Sequence, residues 1–431
     1  MNKTKHPFIK NVLTLMSGTA FAQLLSILAS PLLSRIFTPE DFALQASFVS
    51  VTSLCLVFCS GKIEQAILLP EQNEDANDIL KLSLWLCIII CCLLPFFIKI
   101  TSLFNTAFED LVNNKLIILT TIFILCSGIC EILRVYFLRH KQFKAMSSRT
   151  VVSSIITVSL NLLCGYLMYS KKVLITSTTV AQIVVLFLFI ILFIKIYKKI
   201  ENCKFNFKLS NVKNVLKQYW QFPVFIMPGQ VFNVFTTHIP VLLLSSYYSA
   251  TEIGYYAFIN KVINVPFSVI IGSLTQVFLQ KFINTSKEQR LPLYLKTSFI
   301  LFGIVIIPAV ICVIIAPPLI RIVFGSIWEP SATIARVLAP MLVIRFALTP
   351  MEGAAATAQK KLWVSFLMQL LRFVSVLIAV ILSIKLRFSF DLAIFTYSMG
   401  LALFYFAYYL WEIILLKKEK SQIVDKEITL E

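Results

Sequence analysis

Apolar residues fill this chain in long unbroken blocks rather than in alternation. "LKLSLWLCIIICCLLPFFI" (80–98) and "SFILFGIVIIPAVICVIIAPPLI" (298–320) are typical. A backbone crossing lipid must bond its own N–H and C=O groups, so such blocks are helices or strands of a closed barrel, and continuous apolarity excludes the barrel's in-and-out pattern. The pattern predicts an all-α polytopic membrane protein of about twelve spans, starting near residues 11, 41, 79, 113, 147, 173, 218, 251, 291, 332, 361 and 390, each close to the ~20 residues that cross a bilayer. The first block is too long for the apolar core of a signal peptide and more blocks follow it, so it is expected to be retained.

Polar positions divide this series. A basic segment separates six spans from six, giving an N-terminal lobe at 1–198, a linker at 199–217, a C-terminal lobe at 218–416 and a tail at 417–431. A shift of 211 residues lays "MSGTAF" (16–21) on "MPGQVF" (227–232) and "TPEDFA" (38–43) on "SATEIG" (249–254), placing Asp41 on Glu252. Six being even, both lobes enter from the same side and form parallel repeats about an axis along the membrane normal. Two polar stripes obey the same shift. Ser50, Ser53, Val57, Ser60 and Glu64 recur every three or four residues along the second span, and Lys261, Asn264, Ser268, Ile271 and Thr275 occupy the equivalent positions on the eighth. Likewise Thr19, Ala22, Ser26 and Ala29 on the first span map onto Gln230, Asn233, Thr237 and Pro240 on the seventh. Polar faces within a bilayer turn toward protein or water, so spans 1, 2, 7 and 8 are expected to surround a central hydrophilic cavity. Interhelical packing through small hydroxyls is the alternative.

Composition and charge sharpen the picture. With 58% hydrophobic and 14% charged residues, a soluble globule of 431 residues is excluded. The net charge of +18 suggests nucleic acid until its location is considered. With the N-terminus inside, about 27 of the 39 Lys and Arg fall on cytoplasmic segments and about 9 opposite. Both termini are therefore expected in the cytoplasm. "LRHKQFKAMSSR" (138–149) and "KIYKKIENCKFNFKLSNVKNVLKQ" (195–218) read as topology determinants at lipid headgroups, and no nucleic-acid partner is expected. Of the ten cysteines, Cys87, Cys91 and Cys92, and Cys126 and Cys130, lie in apolar spans without His at ligand spacing, so they read as buried small hydrophobes and no metal or cofactor is expected.

Charges inside spans are costly and carry the candidate chemistry. Glu131 and Arg134, three apart on the fourth span, can pair. Lys62 and Glu64, two apart, would point to nearly opposite faces of an α-helix, and Lys62 is expected to snorkel to headgroups. Arg345 and Glu352 share a face of the tenth span with Thr349 between them, two turns apart, so each needs water, another helix or a ligand. Arg372 has no local acid and is either bonded across helices or functional. His238 is either a satisfied interior histidine or a proton carrier. Lys261 lies roughly ten residues inside its span, too deep to snorkel easily.

"LSRIFTPEDFA" (33–43) and "GKIEQAILLP" (61–70), followed by an acidic run, resemble the oligosaccharide flippases of the polysaccharide transporter family, the Wzx-like O-antigen branch of the multidrug, oligosaccharidyl-lipid and polysaccharide exporter superfamily. Ile63 stands where that family carries an aromatic residue, so no aromatic role is assigned there. The resemblance implies two six-helix lobes that rock between inward and outward openings. It implies transfer of a polyprenyl (undecaprenyl) diphosphate-linked oligosaccharide from the cytoplasmic to the periplasmic leaflet of a bacterial inner membrane, in O-antigen or other surface polysaccharide biosynthesis. Fixed cations in a wet cavity would replace the hydration of a diphosphate while its isoprenoid tail stays in lipid. Lys261, then Arg345 and Arg372, are the candidate headgroup contacts, with Asn233, Gln230 and Asn264 as hydrogen-bonding partners. Glu64 and Glu352 are candidate coupling sites for H+ or Na+. Membrane lipids and other polysaccharide-assembly membrane proteins complete the expected partners. A cation-coupled multidrug exporter is the main alternative, for which a carboxylate-dominated pocket is expected. A membrane glycosyltransferase or polymerase is the enzyme alternative, but no nucleotide-binding loop, metal motif or large external loop is present, so an enzyme is not expected.

Overall fold

The structure, a computed structural model, describes residues 5–200, 215, 217–354 and 362–428. Most of the expected linker at 199–217, the start of the eleventh span at 361 and the end of the 417–431 tail lie outside the described residues. Among the described residues all regular structure is helical. The helices are α1 (Lys5–Ile36), α2 (Pro39–Phe58), α3 (Asn73–Thr101), α4 (Thr106–Asn113), α5 (Ile117–Arg139), α6 (Phe143–Leu167), α7 (Val173–Ile200), α8 (Met227–Leu244), α9 (Ala250–Ile283), α10 (Lys287–Phe324), α11 (Ser331–Leu348), α12 (Leu362–Lys385) and α13 (Phe390–Ile428). Ten are long and apolar enough to cross a membrane, and α9, in two segments, makes an eleventh. α8, with 18 residues that include Gln230, Asn233 and His238, stands where the seventh span is expected but is not among these, so ten or eleven of the twelve expected spans are found among the described residues. The all-α polytopic expectation is borne out.

Two compact units result, 1–257 and 258–431, divided within α9. The first unit therefore takes in α8, the opening helix of the second repeat, because α8 packs against α2. In this unit α1 lies along α6 at close range. A Cβ on Gly18 would sit 2.0 Å from Ser147 Oγ, so the approach requires glycine. One turn on, Ser154 Oγ donates to the Ala22 carbonyl at 2.8 Å. Apolar burial alone cannot hold two helices together in lipid, and small residues with hydroxyl contacts of this kind do so instead. The exposed faces are apolar, with Phe96 71%, Ile118 75% and Phe299 74% exposed, as lipid contact requires.

Helix ends are satisfied by cross-contacts. Asn105 Oδ1 accepts the Ala107 N–H at 3.0 Å and so caps α4. Its Nδ2 donates to the Leu242 carbonyl at 2.5 Å, closing one of the orphan acceptors at the end of α8. Arg139 ends α5 and ties down the segment after the second span, donating to the carbonyls of Ile67 at 2.9 Å and Pro70 at 2.7 Å. Part of the basic stretch at 138–149 thus works within the protein.

In the second unit α11 packs against α10 and α13, and α12 against α13. α10 carries Pro292, Pro308, Pro317 and Pro318, and α11 carries Pro340. Pro317 has no N–H for the carbonyl of Val313 four residues earlier, and Arg336 Nε reaches across from α11 to donate to it at 2.9 Å.

Candidate functional site

The first polar stripe does not run along one helix. α2 stops at Phe58, because Gly61 and Lys62 take φ of +58° and +60°. Glycine adopts this conformation freely and lysine does so under strain. The chain resumes in a 3₁₀ turn at Ile63–Leu68. This corrects the expectation that Lys62 and Glu64 diverge. Lys62 Nζ lies 3.8 Å from Glu64 Oε1, and Ser60 Oγ donates to Glu64 Oε2 at 2.5 Å. Lys62 is held against this carboxylate, its side chain 16% exposed, instead of snorkelling. Ser50, Val57, Ser60 and Glu64 are all buried. Ser50 Oγ bonds His238 Nδ1 on α8 at 3.0 Å, so His238 is a bonded interior histidine.

The equivalent stripe on α9 is open. Lys261 and Ser268 are exposed, and Asn264, Ile271 and Thr275 half-buried. Arg345 Nη1, from α11, donates to Asn264 Oδ1 at 3.0 Å. Asn264 Nδ2 in turn donates to the Asn260 carbonyl at 3.0 Å and to its side-chain oxygen. Arg345 Nε is buried with no hydrogen-bond partner among the described residues. Two of the expected substrate contacts, Asn264 and Arg345, are thus brought together. Asn260 joins them one turn away, at a position the stripe spacing passed over. Gln230 and Asn233 are half-buried on α8, within the first unit.

Glu352 does not share a helix face with Arg345. α11 ends at Leu348, residues 349–351 form a tight 3₁₀ turn, and Gly353 follows at φ +74°. Glu352 Oε1 instead lies 4.0 Å from Arg372 Nη1 on α12. Arg372, 8% exposed, also donates to Tyr405 Oη at 3.4 Å and to Gln369 Oε1. Of the two readings of Arg372, bonding across helices is the one the geometry shows. On α5, Arg134 grips Glu131 with two nitrogens, at 2.9 and 2.6 Å, and Arg149 stands 3.9 Å from the same carboxylate.

Two clusters escaped the sequence reading. Glu412, fully buried in α13, accepts the Tyr294 hydroxyl at 2.6 Å; its signal was a single acid inside "YYLWEIILL" (408–416). Cys59, Cys87 and Cys91 are buried with their sulfurs within 4.8 Å of one another. Spacing could not show this, since Cys59 follows α2 while the other two lie on α3.

The 211-residue relation reappears as a helix-capping device. The Thr38 N–H donates to Asp41 Oδ2 at 2.9 Å, and the Ser249 N–H donates to Glu252 Oε2 at 3.0 Å. Each acid closes the first turn of its helix from the third position. Tyr169 also donates to Asp41 Oδ2, at 2.6 Å; burial first, and then this bond, hold its phenol above the ordinary range. The two caps meet. Thr251 Oγ1 donates to Glu40 Oε1 at 2.5 Å, and a Cβ on Gly254 would fall 1.9 Å from the Pro39 carbonyl oxygen.

Residues 32–333 match the family described as polysaccharide biosynthesis protein. The chain belongs to that family. No curated protein matches it by sequence. Among solved structures, this family member is similar to the lipid II flippase MurJ in an inward closed conformation, at TM-score 0.73 and 16% identity over 95% of this chain and 90% of the other. It is also similar to an inward-facing multidrug resistance MATE family transporter of the MOP superfamily, at TM-score 0.65 and 15% identity over 92% and 96% of the two chains. A third likeness, at TM-score 0.58 and 14% identity over 95% and 96%, is a MOP superfamily transporter from Pyrococcus furiosus whose description notes a reversed polarity of its binding pocket. The fold is that of MOP-superfamily transporters.

Proposed function

We propose that this protein is a flippase that carries a polyprenyl diphosphate-linked oligosaccharide from the cytoplasmic to the periplasmic leaflet of the inner membrane, by alternating access of its two repeats, for O-antigen or other surface polysaccharide. The observation that carries this reading is the cationic character of the open α9 stripe, where Lys261 stands exposed and Arg345 bonds Asn264. A diphosphate brings about two negative charges that hydrocarbon rejects, and cations set among amides replace its water. Lys261 and Arg345 are the headgroup contacts on this reading. Asn264, Asn233 and Gln230 bond phosphate or sugar, and Arg372 acts from its site beside Glu352. Glu64 and Glu352 each stand by a cation in the structure, so ion coupling through either requires its pair to open. Moving two negative charges out of a negative interior is favoured by roughly 4–5 kcal/mol at 100 mV, so transport does not require such coupling.

Membership of a polysaccharide biosynthesis family supports the substrate class. The likeness to multidrug transporters favours the second reading, a cation exporter. Deletion of the gene, with the lipid-linked intermediates extracted, tests the first. A complete oligosaccharide accumulating on the cytoplasmic leaflet is the expected result. Unchanged intermediates, together with sensitivity to cationic dyes, would replace it with the second.

A further inference from the structure

Near the polar contact between Asn264 and Arg345, α9, α10 and α11 line a half-open cavity of about 330 Å³, within the ~300–1,000 Å³ of small-molecule pockets. Its lining side chains are all aliphatic, aromatic or proline. The cavity has a local cause. Ala309 and Ala316 on α10 face Ala335 and Ala339 on α11 where larger side chains would fill the space. Pro317 interrupts the hydrogen-bond ladder of the same stretch of α10, which Arg336 repairs from outside.

The apolar cavity and the cationic contact adjoin. Ile263 and Phe267 line the cavity and flank Asn264 on α9. Leu342, another lining residue, precedes Arg345 by one turn of α11. Phe267 and Phe346 meet at 5.3 Å between ring centroids, closing the wall beside the polar pair. A ligand that spans both parts has an anionic head and an apolar chain.

We infer that this cavity binds the first isoprenoid units of the lipid-linked substrate, next to the diphosphate, while the rest of the chain stays in the membrane. The inference rests on the flippase reading of the same site and adds to it a specific pocket for the tail. An isoprenoid chain is branched and stiffened by its double bonds, and the recesses over the four alanines take methyl branches that a straight acyl chain lacks.

Binding to the purified full-length protein tests this, with inorganic diphosphate as the head alone and farnesyl diphosphate as the head with three isoprene units. Farnesyl diphosphate is expected to bind at least ~tenfold more tightly, since each buried methylene contributes on the order of a fourfold factor. Ala339→Phe fills the cavity and is expected to erase that difference while leaving inorganic diphosphate binding unchanged. Ala309→Leu, from the opposite wall, is expected to reduce it in part, with thermal unfolding confirming that both variants fold. A photoreactive farnesyl diphosphate should label α10 and α11. Equal affinity for the two probes, an undiminished difference in Ala339→Phe, or displacement of the label by phosphatidylglycerol vesicles at equal concentration would overturn the inference while leaving the head-binding site standing. If neither diphosphate binds, the flippase reading falls, and the tail pocket with it.

Discussion

The two stripes that one shift relates have opposite fates. On α2 and the turn after it, four of the five positions are buried, Ser50 is bonded to His238, and Glu64 is closed in by Ser60 and Lys62. On α9 the same positions carry an exposed lysine and serine and an asparagine that holds an arginine from α11. Equal periodicity therefore does not mean equal use. The first repeat buries most of this polar face in protein, while the second keeps Lys261 and Ser268 exposed. Of the two readings of such stripes, packing describes the first; the second is exposed, which the packing reading alone does not explain.

The largest test of this contrast is charge reversal on the open side. Lys261→Glu is expected to lower export of surface polysaccharide by roughly a hundredfold, as for a like charge set against an anion, with protein abundance unchanged. Lys261→Arg should keep part of the activity, since charge remains but the shape of the head changes. Normal export by a well-expressed Lys261→Glu would remove the open stripe from the substrate path.

On the closed side the expected damage is to stability. Lys62→Met strands the Glu64 carboxylate in a buried site and is expected to cost about 3 kcal/mol, read as a lowered unfolding midpoint in detergent. Adding Glu64→Gln should recover most of it. A stable Glu64→Gln single variant that has lost transport would instead make Glu64 a coupling site. A finer probe is thiol chemistry, after replacement of the native cysteines. Cysteine at position 268 should react with a water-soluble maleimide at least ~tenfold faster than cysteine at position 50, in keeping with the burial of Ser50. Equal rates would erase the distinction. The smallest effect is expected from single hydroxyls. Ser50→Ala should cost about 1 kcal/mol for its bond to His238. Thr275→Ala, whose hydroxyl bonds only the Ile271 carbonyl of its own helix among the contacts described, should stay within about 0.5 kcal/mol.

What the chain discloses follows from the range of the interactions involved. Apolar blocks and helix number are local properties, so the spans were legible in order. The repeat was legible too, and the paired caps at Asp41 and Glu252 bear it out. Which way a stripe faces was not, because a period of 3.6 defines a face without naming its neighbour. The two errors over Glu64 and Glu352 share one cause. Each lies past the end of a helix that hydropathy alone carried too far, within three residues of a glycine with positive φ, and a turn there brings together groups that an ideal helix would separate. Glu412 and the three thiols were hidden for another reason, since their partners come from distant elements and no spacing rule joins them.

The contact between Glu40 and Thr251 joins positions that correspond under the repeat. Such a contact marks a place where a motif faces its own copy, and a self-facing position obeys an unusual selection rule. Were the two halves identical, two glutamates would stand side by side and repel, or two threonines would leave the pair without a charged acceptor. The bond exists only because the copies differ. The same holds one turn on, where Gly254 lies against the Pro39 backbone while Ala43 holds the corresponding position in the first copy. Reverting either half to the sequence of the other would thus be felt most sharply where the halves are most alike in structure, and divergence between the copies is here a condition of their fit.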